Sequence, residues 1–133
     1  MAMTANGTFE VDLQPQSVWD GAADSGLGRL SIDKQFHGDL EATSKGEMLS
    51  ARAAEGSAGY VALEKVTGKL AGRTGSFVLQ HSGTMARGEG RLSVTVVPDS
   101  GTGELKDLTG QMMIENNGGE HSYSFDYDFG ENA

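Results

Sequence analysis

Few side chains in this sequence can do acid–base chemistry from apolar surroundings, and the strongest candidate is Glu64. Glu64 shares a strand face with Tyr60, Ala62 and Val66 inside the apolar stretch 60–85. If that face lines an interior, burial raises the pKa of the carboxyl group, and Glu64 can act as a general acid or base. The alternative is a solvated carboxylate, or one paired with a cation. The candidate cations are Arg73, Arg87 and Lys65.

Two further candidates, Gln80 and His81, are neighbours on one predicted strand and therefore point to opposite faces. His81 shares its face with Phe77 and Leu79. Gln80 shares the opposite face with Ser76, Val78 and Ser82. Only one of the two can line an interior, where it would bind a polar group of a ligand. A lone histidine on an apolar face is more often a hydrogen-bonded core or interface residue.

An aromatic series near the end of the sequence can bind a flat ligand. The residues that alternate on one face there are His121, Tyr123, Phe125, Tyr127 and Phe129. Such a face can stack on an apolar molecule while the phenols form hydrogen bonds. The favoured alternative is a wall of the core. The candidate ligand-binding residues are therefore Tyr60, Gln80, His81, His121, Tyr123, Phe125 and Tyr127.

Other motifs do not indicate a reaction. The three histidines (His37, His81 and His121) lack a ligand spacing, so no metal or cofactor is expected. Ser82 beside His81 is no catalytic dyad, because adjacent strand residues diverge. The segment 100–103 is a turn, since neither a helix nor a lysine follows it as in a phosphate loop. Cysteine is absent, which excludes disulfides and thiol nucleophiles.

The elements that must position these residues are strands. Alternating apolar and polar residues predict about eight of them, at 8–13, 29–37, 40–51, 60–70, 75–85, 91–97, 111–116 and 121–129. Residues 14–27 lack periodicity and are predicted to form a loop, with Trp19 folded over one end of the core. Residues 104–109 are predicted to be a short irregular piece.

The whole chain, residues 1–133, is predicted to form one all-β domain, a closed eight-stranded antiparallel meander barrel. Such a barrel holds either side chains or one small ligand. The stretch 60–85 is apolar on both faces, so its outer face is predicted to contact another subunit. We expect a homo-oligomer, either a dimer or a trimer.

The charge balance excludes several partners. With 19 acidic against 10 basic residues the formal net charge is −9, which repels nucleic acid and anionic membranes. Neither a signal peptide nor an apolar run of membrane-spanning length is present in the sequence. We therefore expect a cytoplasmic protein whose partner is a small apolar or aromatic ligand, with no nucleic acid and no membrane.

Three segments carry a resemblance to a known family. They read GYVALEKVTGKLAGRTGSFVLQHSGTM (59–85), VVPDSGTGELKDLTG (96–110) and HSYSFDY (121–127). They resemble a bacterial family of uncharacterised proteins whose structures are similar to the allene oxide cyclase barrel. The resemblance implies an eight-stranded antiparallel barrel and brings no activity. Its relatives by fold hold apolar ligands in the barrel and tend to form trimers, but none of their catalytic residues matches a position here.

Three functions follow from this reading. The first is binding of a small apolar or aromatic molecule in the lumen. The second is an isomerase or cyclase that uses Glu64 as acid or base, with Gln80 or Tyr123 orienting the substrate. The third is a structural oligomerisation module whose barrel is filled by its own side chains.

Overall fold

The computed structural model describes residues 3–19 and 25–130, and within these ranges it contains strands and turns but no helix. In the described part of the chain there is accordingly no helix long and apolar enough to cross a membrane. The strands are β1 (Met3–Gln16), β2 (Leu27–Gly38), β3 (Leu40–Arg52), β4 (Ala58–Leu70), β5 (Arg73–Ala86), β6 (Glu89–Val96), β7 (Thr102–Gly103), β8 (Leu108–Asn117) and β9 (Glu120–Phe129).

The eight long strands form a closed antiparallel barrel, so the predicted fold is confirmed. Each strand from β1 to β6 pairs with the next, β6 pairs with β8, β8 with β9, and β9 with β1. Except between β6 and β8, closure leaves no long free edge, which is how an all-β domain avoids edge-to-edge association. The two-residue β7 is an addition that pairs with the beginning of β5.

The ladders around the barrel differ greatly in length. Between β3 and β4 the pairing is continuous from Leu40 opposite Leu70 to Arg52 opposite Ala58. Between β6 and β8, both of which are fully described, the one pair in register is Thr95 with Gln111. The barrel is therefore closed at this seam by a much shorter ladder than elsewhere.

The strands whose boundaries differ most from the sequence prediction are β1 and β8, and strand pairing explains both. β1 begins at Met3, which pairs with Tyr127, and continues to Gln16, which pairs with Arg29. The predicted loop at 14–27 is therefore shorter, and its residues 20–24 lie outside the described residues. Trp19 is 58% exposed, so its predicted position over the core is wrong. β8 begins three residues early because Leu108 pairs with Phe129.

One half of the barrel interior is filled by side chains. This filled half lies towards the β2–β3 and β4–β5 turns, and its residues are all 7% exposed or less. They include Ala5, Phe36, Leu40, Val66, Leu70, Phe77, Leu105, Leu108, Phe125 and Tyr127. The rings of Phe77 and Phe125 stack with centroids 5.9 Å apart, and Phe125 also stacks on Tyr127 at 5.4 Å. This half is the hydrophobic core.

The other half of the interior is incompletely covered. Its inward-facing residues lie towards the opposite end, where β3, β5 and β8 finish. The residues of this open half are Leu13, Gly28, Leu30, Met48, Ser50, Tyr60, Gly83, Met85 and Leu92. Leu13, Met85 and Leu92 share the inward parity of buried neighbours, yet they are 42%, 47% and 46% exposed. Apolar side chains therefore face an unfilled space.

Candidate functional site

Four buried polar side chains lie where the two halves of the interior meet. They come from four consecutive strands: Lys34 from β2, Ser44 from β3, Glu64 from β4 and His81 from β5. Each is 5% exposed or less. We call these four residues the polar cluster. Alternation along each strand turns all four inward, so residues distant in sequence meet inside the barrel.

Glu64 is the acceptor at the centre of the polar cluster. Its Oε2 atom accepts hydrogen bonds from Lys34 Nζ at 2.8 Å and from His81 Nε2 at 2.9 Å. Its Oε1 atom accepts one from the Ser44 hydroxyl at 2.9 Å. No buried side-chain nitrogen or oxygen in the described part of the chain lacks a partner. The cost of burying this carboxylate is therefore offset by three donors.

These donors reverse the expected pKa shift of Glu64. Burial alone raises the pKa, as the sequence predicted, but the hydrogen bond from His81 and the charge and hydrogen bond of Lys34 outweigh it. The pKa falls to about 2, so the carboxyl group is ionised at neutral pH. The prediction of a raised pKa is therefore wrong. The cation that pairs with Glu64 is Lys34, which is none of the three considered from the sequence.

Lys34 is held by aromatic rings as well as by Glu64. Its ammonium nitrogen lies 4.6 Å from the ring centroid of Phe9 and 5.3 Å from that of Phe36. Both distances are within the range of cation–π attraction. Lys34 and Glu64 together carry no net charge, which makes their joint burial tolerable in an apolar interior.

Tyr60 connects the polar cluster to the open half. Its hydroxyl oxygen lies 3.5 Å from Nδ1 of His81, whose other ring nitrogen contacts Glu64. Opposite Tyr60 on β5 is Gly83, where a Cβ atom would collide with the tyrosine ring. Glycine at this position therefore makes room for the ring. Burial and the negative charge of Glu64 raise the pKa of Tyr60, which keeps its hydroxyl protonated at neutral pH.

A pocket of about 520 Å³ lies in the open half, and Tyr60 lines it. Its lining residues all come from strands β3 to β6. They are Met48, Ser50, Ala51, Arg52, Ala58, Gly59, Tyr60, Gly83, Thr84, Met85, Gly90, Arg91 and Leu92. The charged ones among them are both arginines, in a chain whose net charge is −9. The pocket is mostly apolar, with hydroxyl groups and a cationic rim.

Several residues predicted to bind a ligand do not reach this pocket. Gln80 is exposed on the outer face of β5, because strand alternation turns it away from His81. Phe125 and Tyr127 belong to the filled half, where their rings pack against other aromatic rings. The aromatic series thus contributes a wall of the core, which was the favoured prediction for it. His121 stacks on Phe9 at 4.9 Å and lines a different depression, of about 540 Å³.

Tyr123 does not line this pocket either, and its hydroxyl forms hydrogen bonds with the β2–β3 turn. The oxygen accepts a hydrogen bond from the Leu40 amide at 2.9 Å and lies 2.9 Å from the His37 carbonyl, to which it donates. A Cβ atom at Gly7 would collide with both the His37 carbonyl and the Tyr123 hydroxyl. Glycine is required at this crossing. Tyr123 therefore stabilises the β2–β3 turn, and its suggested role in orienting a substrate stays a prediction.

Two members of the polar cluster, Lys34 and Ser44, were missed by the sequence reading. A signal for Lys34 was present, since it interrupts the alternating series Leu30, Ile32 and Phe36 at an inward position. Ser44 gave a weaker signal, because a serine two residues after Ala42 is unremarkable on a half-exposed strand. Among residues 3–19 and 25–130, no group of three or more metal-ligating side chains is found that could hold a metal ion.

Comparisons with known proteins give a family and a fold. A family model described as "Protein of unknown function (DUF3224)" matches residues 5–127. A crystal structure of a protein of unknown function from the DUF3224 family, from Shewanella oneidensis MR-1 at 1.84 Å resolution, is similar to this chain. The two share 50% sequence identity with a TM-score of 0.92, over 98% of each chain. No curated protein matches the sequence.

Proposed function

The chain belongs to the DUF3224 family of proteins of unknown function, and from its geometry we propose that it binds a small apolar or aromatic molecule in the open half of the barrel. The predicted resemblance to an uncharacterised bacterial family is thereby confirmed. The further likeness to the allene oxide cyclase barrel stays a prediction.

The observation that carries this proposal is the set of inward-facing apolar side chains that the protein leaves uncovered. Met85 and Leu92 line the pocket and are nearly half exposed, although the barrel turns them towards its interior. Binding of a ligand in a concave site removes uncovered apolar surface from water, which lowers the free energy of the complex. The pocket volume of about 520 Å³ lies within the usual range for small-molecule sites.

The charges around the pocket narrow the ligand class. Arg52 and Arg91 line the pocket, and no acidic residue is among the described residues that line it. Of the two, Arg52 shares the inward parity of Met48 and Ser50 on β3, whereas Arg91 follows the outward parity on β6. A positively charged ligand would meet the like charge of Arg52, so a neutral or anionic molecule fits better.

The two rival functions fit the geometry less well. Glu64 is enclosed by Lys34, Ser44 and His81 and does not line the pocket, so an isomerase that uses Glu64 as its acid or base is not favoured. A purely structural barrel agrees with the filled half but leaves the open half unexplained. Self-association as a dimer or trimer and a cytoplasmic location are kept as parts of the proposal that rest on the sequence alone.

A fluorescence titration with N-phenyl-1-naphthylamine tests the proposal, because this neutral aromatic probe becomes bright in an apolar site. We expect saturable, stoichiometric binding to the wild-type protein. Met85→Asp places a charge in the pocket wall and should weaken binding by roughly tenfold or more. Met113→Asp is the matched control, since Met113 is 56% exposed but lies on the outer face of β8.

The comparison of these two variants decides the outcome. Loss of binding in Met85→Asp with retention in Met113→Asp would support a site in the open half. Absence of saturable binding to the wild-type protein, or equal loss in both variants, would contradict it. Circular dichroism of each variant confirms that the barrel is folded before the titrations are compared.

A further inference from the structure

We propose that the ligand carries a hydrogen-bond donor, such as a hydroxyl group, on its apolar body, and that the hydroxyl oxygen of Tyr60 accepts this hydrogen bond. The inference rests on the proposed function, because it names the chemistry recognised in the same pocket. It follows from the directions of the hydrogen bonds that lead from the polar cluster to Tyr60.

The direction is set first at Glu64. Lys34 can only donate to it, and an ionised carboxylate can only accept. The Lys34 ammonium lies 2.8 Å from Oε2, in a site where both side chains are almost completely buried. Glu64 is therefore held as a carboxylate, and every group within hydrogen-bond distance of it must be a donor.

This requirement fixes the tautomer of His81. Its Nε2 atom lies 2.9 Å from Oε2 of Glu64 and must carry the proton that it donates. In the neutral imidazole the other nitrogen, Nδ1, then has a free lone pair. Nδ1 can only accept a hydrogen bond, and the hydroxyl that faces it belongs to Tyr60.

Donation to His81 determines which hydrogen bonds Tyr60 can form with a ligand in the pocket. Its single hydroxyl proton points towards His81 Nδ1, so the oxygen lone pairs remain for a partner in the pocket. The 3.5 Å separation is long for such a bond. A ligand that donates to the Tyr60 oxygen polarises its O–H bond and strengthens its donation to His81. Donation by the ligand and donation by Tyr60 therefore support each other.

A ligand that offers only an acceptor is disfavoured in the same place. To donate to it, Tyr60 must turn its proton away from His81 and leave Nδ1 without a partner in a buried position. An unpaired buried acceptor is costly. Ser50 also faces the pocket, but its hydroxyl group can donate or accept and does not select between the two classes.

Competition against N-phenyl-1-naphthylamine tests this inference with two matched ligands. 1-Naphthol carries a donor, while 1-methoxynaphthalene has the same ring system and only an acceptor. We expect 1-naphthol to bind the wild-type protein about three- to tenfold more tightly, the range expected for one neutral hydrogen bond. Tyr60→Phe should remove most of this preference while the probe itself still binds.

Tyr127→Phe is the control variant, because Tyr127 lies in the filled half away from the pocket. It should keep the wild-type preference. If the probe and both naphthalenes bind but the preference is the same in Tyr60→Phe, this inference is overturned and the proposed function stands. A preference for 1-methoxynaphthalene that depends on Tyr60 also overturns it. If nothing binds the wild-type protein, the proposed function itself fails.

Nitrogen-15 NMR of the His81 ring gives a second, independent test. At pH 8, where an ordinary imidazole is neutral, the inference requires a protonated Nε2 and an unprotonated Nδ1. Addition of 1-naphthol should shift the Nδ1 resonance as the hydrogen bond from Tyr60 strengthens, with little change at His121. A proton on Nδ1 in the free protein would reverse the direction of donation and overturn the inference.

Discussion

The filled half and the open half of this barrel are built by the same strands with the same alternation, yet only one of them is a core. In the filled half the inward positions hold large side chains, including Phe77, Phe125 and Tyr127. In the open half several inward positions hold glycine or serine, including Gly28, Ser50 and Gly83. The small side chains at these positions leave space in the open half, whereas packed aromatic rings occupy the filled half.

The polar cluster separates the two halves. In the filled half, removal of a side chain leaves a cavity in close-packed surroundings. In the open half, the same removal only enlarges a space that is already open. The comparison therefore predicts large stability effects on one side of the polar cluster and small stability effects on the other.

Truncation of a ring in the filled half should give the largest effect. Phe125→Ala removes a completely buried ring that stacks on Phe77 and Tyr127, and we expect the free energy of unfolding to fall by about 3–5 kcal/mol. Leu92→Ala in the open half should cost less than about 1 kcal/mol, because Leu92 is nearly half exposed. Urea denaturation of both variants measures the contrast. Similar losses in the two would break the distinction between the halves.

Removal of the charge on Glu64 should cost slightly less. Glu64→Gln leaves the Lys34 ammonium buried without its counterion, and we expect a loss of about 3 kcal/mol at pH 7. The pKa of Glu64 is lowered from 4.5 to about 2 by folding, so its stabilisation is fully present above pH 4.5. It is lost as the pH falls towards 2, and the gap between wild type and Glu64→Gln should then narrow.

Denaturation of both proteins between pH 7 and pH 2 checks this dependence. Glu115→Gln provides the control, since Glu115 is exposed on β8 and its replacement should change stability by less than about 0.5 kcal/mol at any pH. A gap between wild type and Glu64→Gln that stays constant down to pH 2 would show that the carboxylate is not the source of the stabilisation.

The smallest effect is expected on the outer surface. Leu63→Ser replaces an exposed leucine that faces away from both halves, and the free energy of unfolding should change by less than about 0.5 kcal/mol. Native mass spectrometry of the same variant adds a sharper readout. If the subunits associate through the outer face of β4, the oligomer should dissociate at lower dilution in Leu63→Ser. A large loss of stability would mean that Leu63 belongs to a packed surface.

The strands and their faces were predictable from the sequence, because alternation alone defines them. The series from His121 to Phe129 shows this, since its inward face was the predicted core wall. The inward sense of Glu64 could not be obtained in the same way. Residues on both faces of β4 are apolar, so only the pairing of β4 with β3 and β5 reveals which face is inside.

The partners of Glu64 were less predictable for a related reason. Lys34, Ser44 and His81 meet Glu64 only through the register of three separate ladders, and register depends on the turns and on the whole barrel. The sign of the Glu64 pKa shift depends on these partners. The effect of burial, which raises the pKa, was predictable from the sequence, but the opposing effects of Lys34 and His81 were not. The open half could not be predicted either, because its position also depends on the register of the strands.

The pairing of β1 with β9 has a consequence for synthesis of the protein on the ribosome. The first strand finds its second partner in the last strand, and the β2–β3 turn gains its Tyr123 hydrogen bonds from that strand too. As the chain leaves the ribosome, each strand from β1 to β6 can pair with the strand before it. The edge of β1 that pairs with β9 stays free until residues 121–127 have also left the ribosome. Until β9 is available, the strands already made can form only an open sheet and not a barrel.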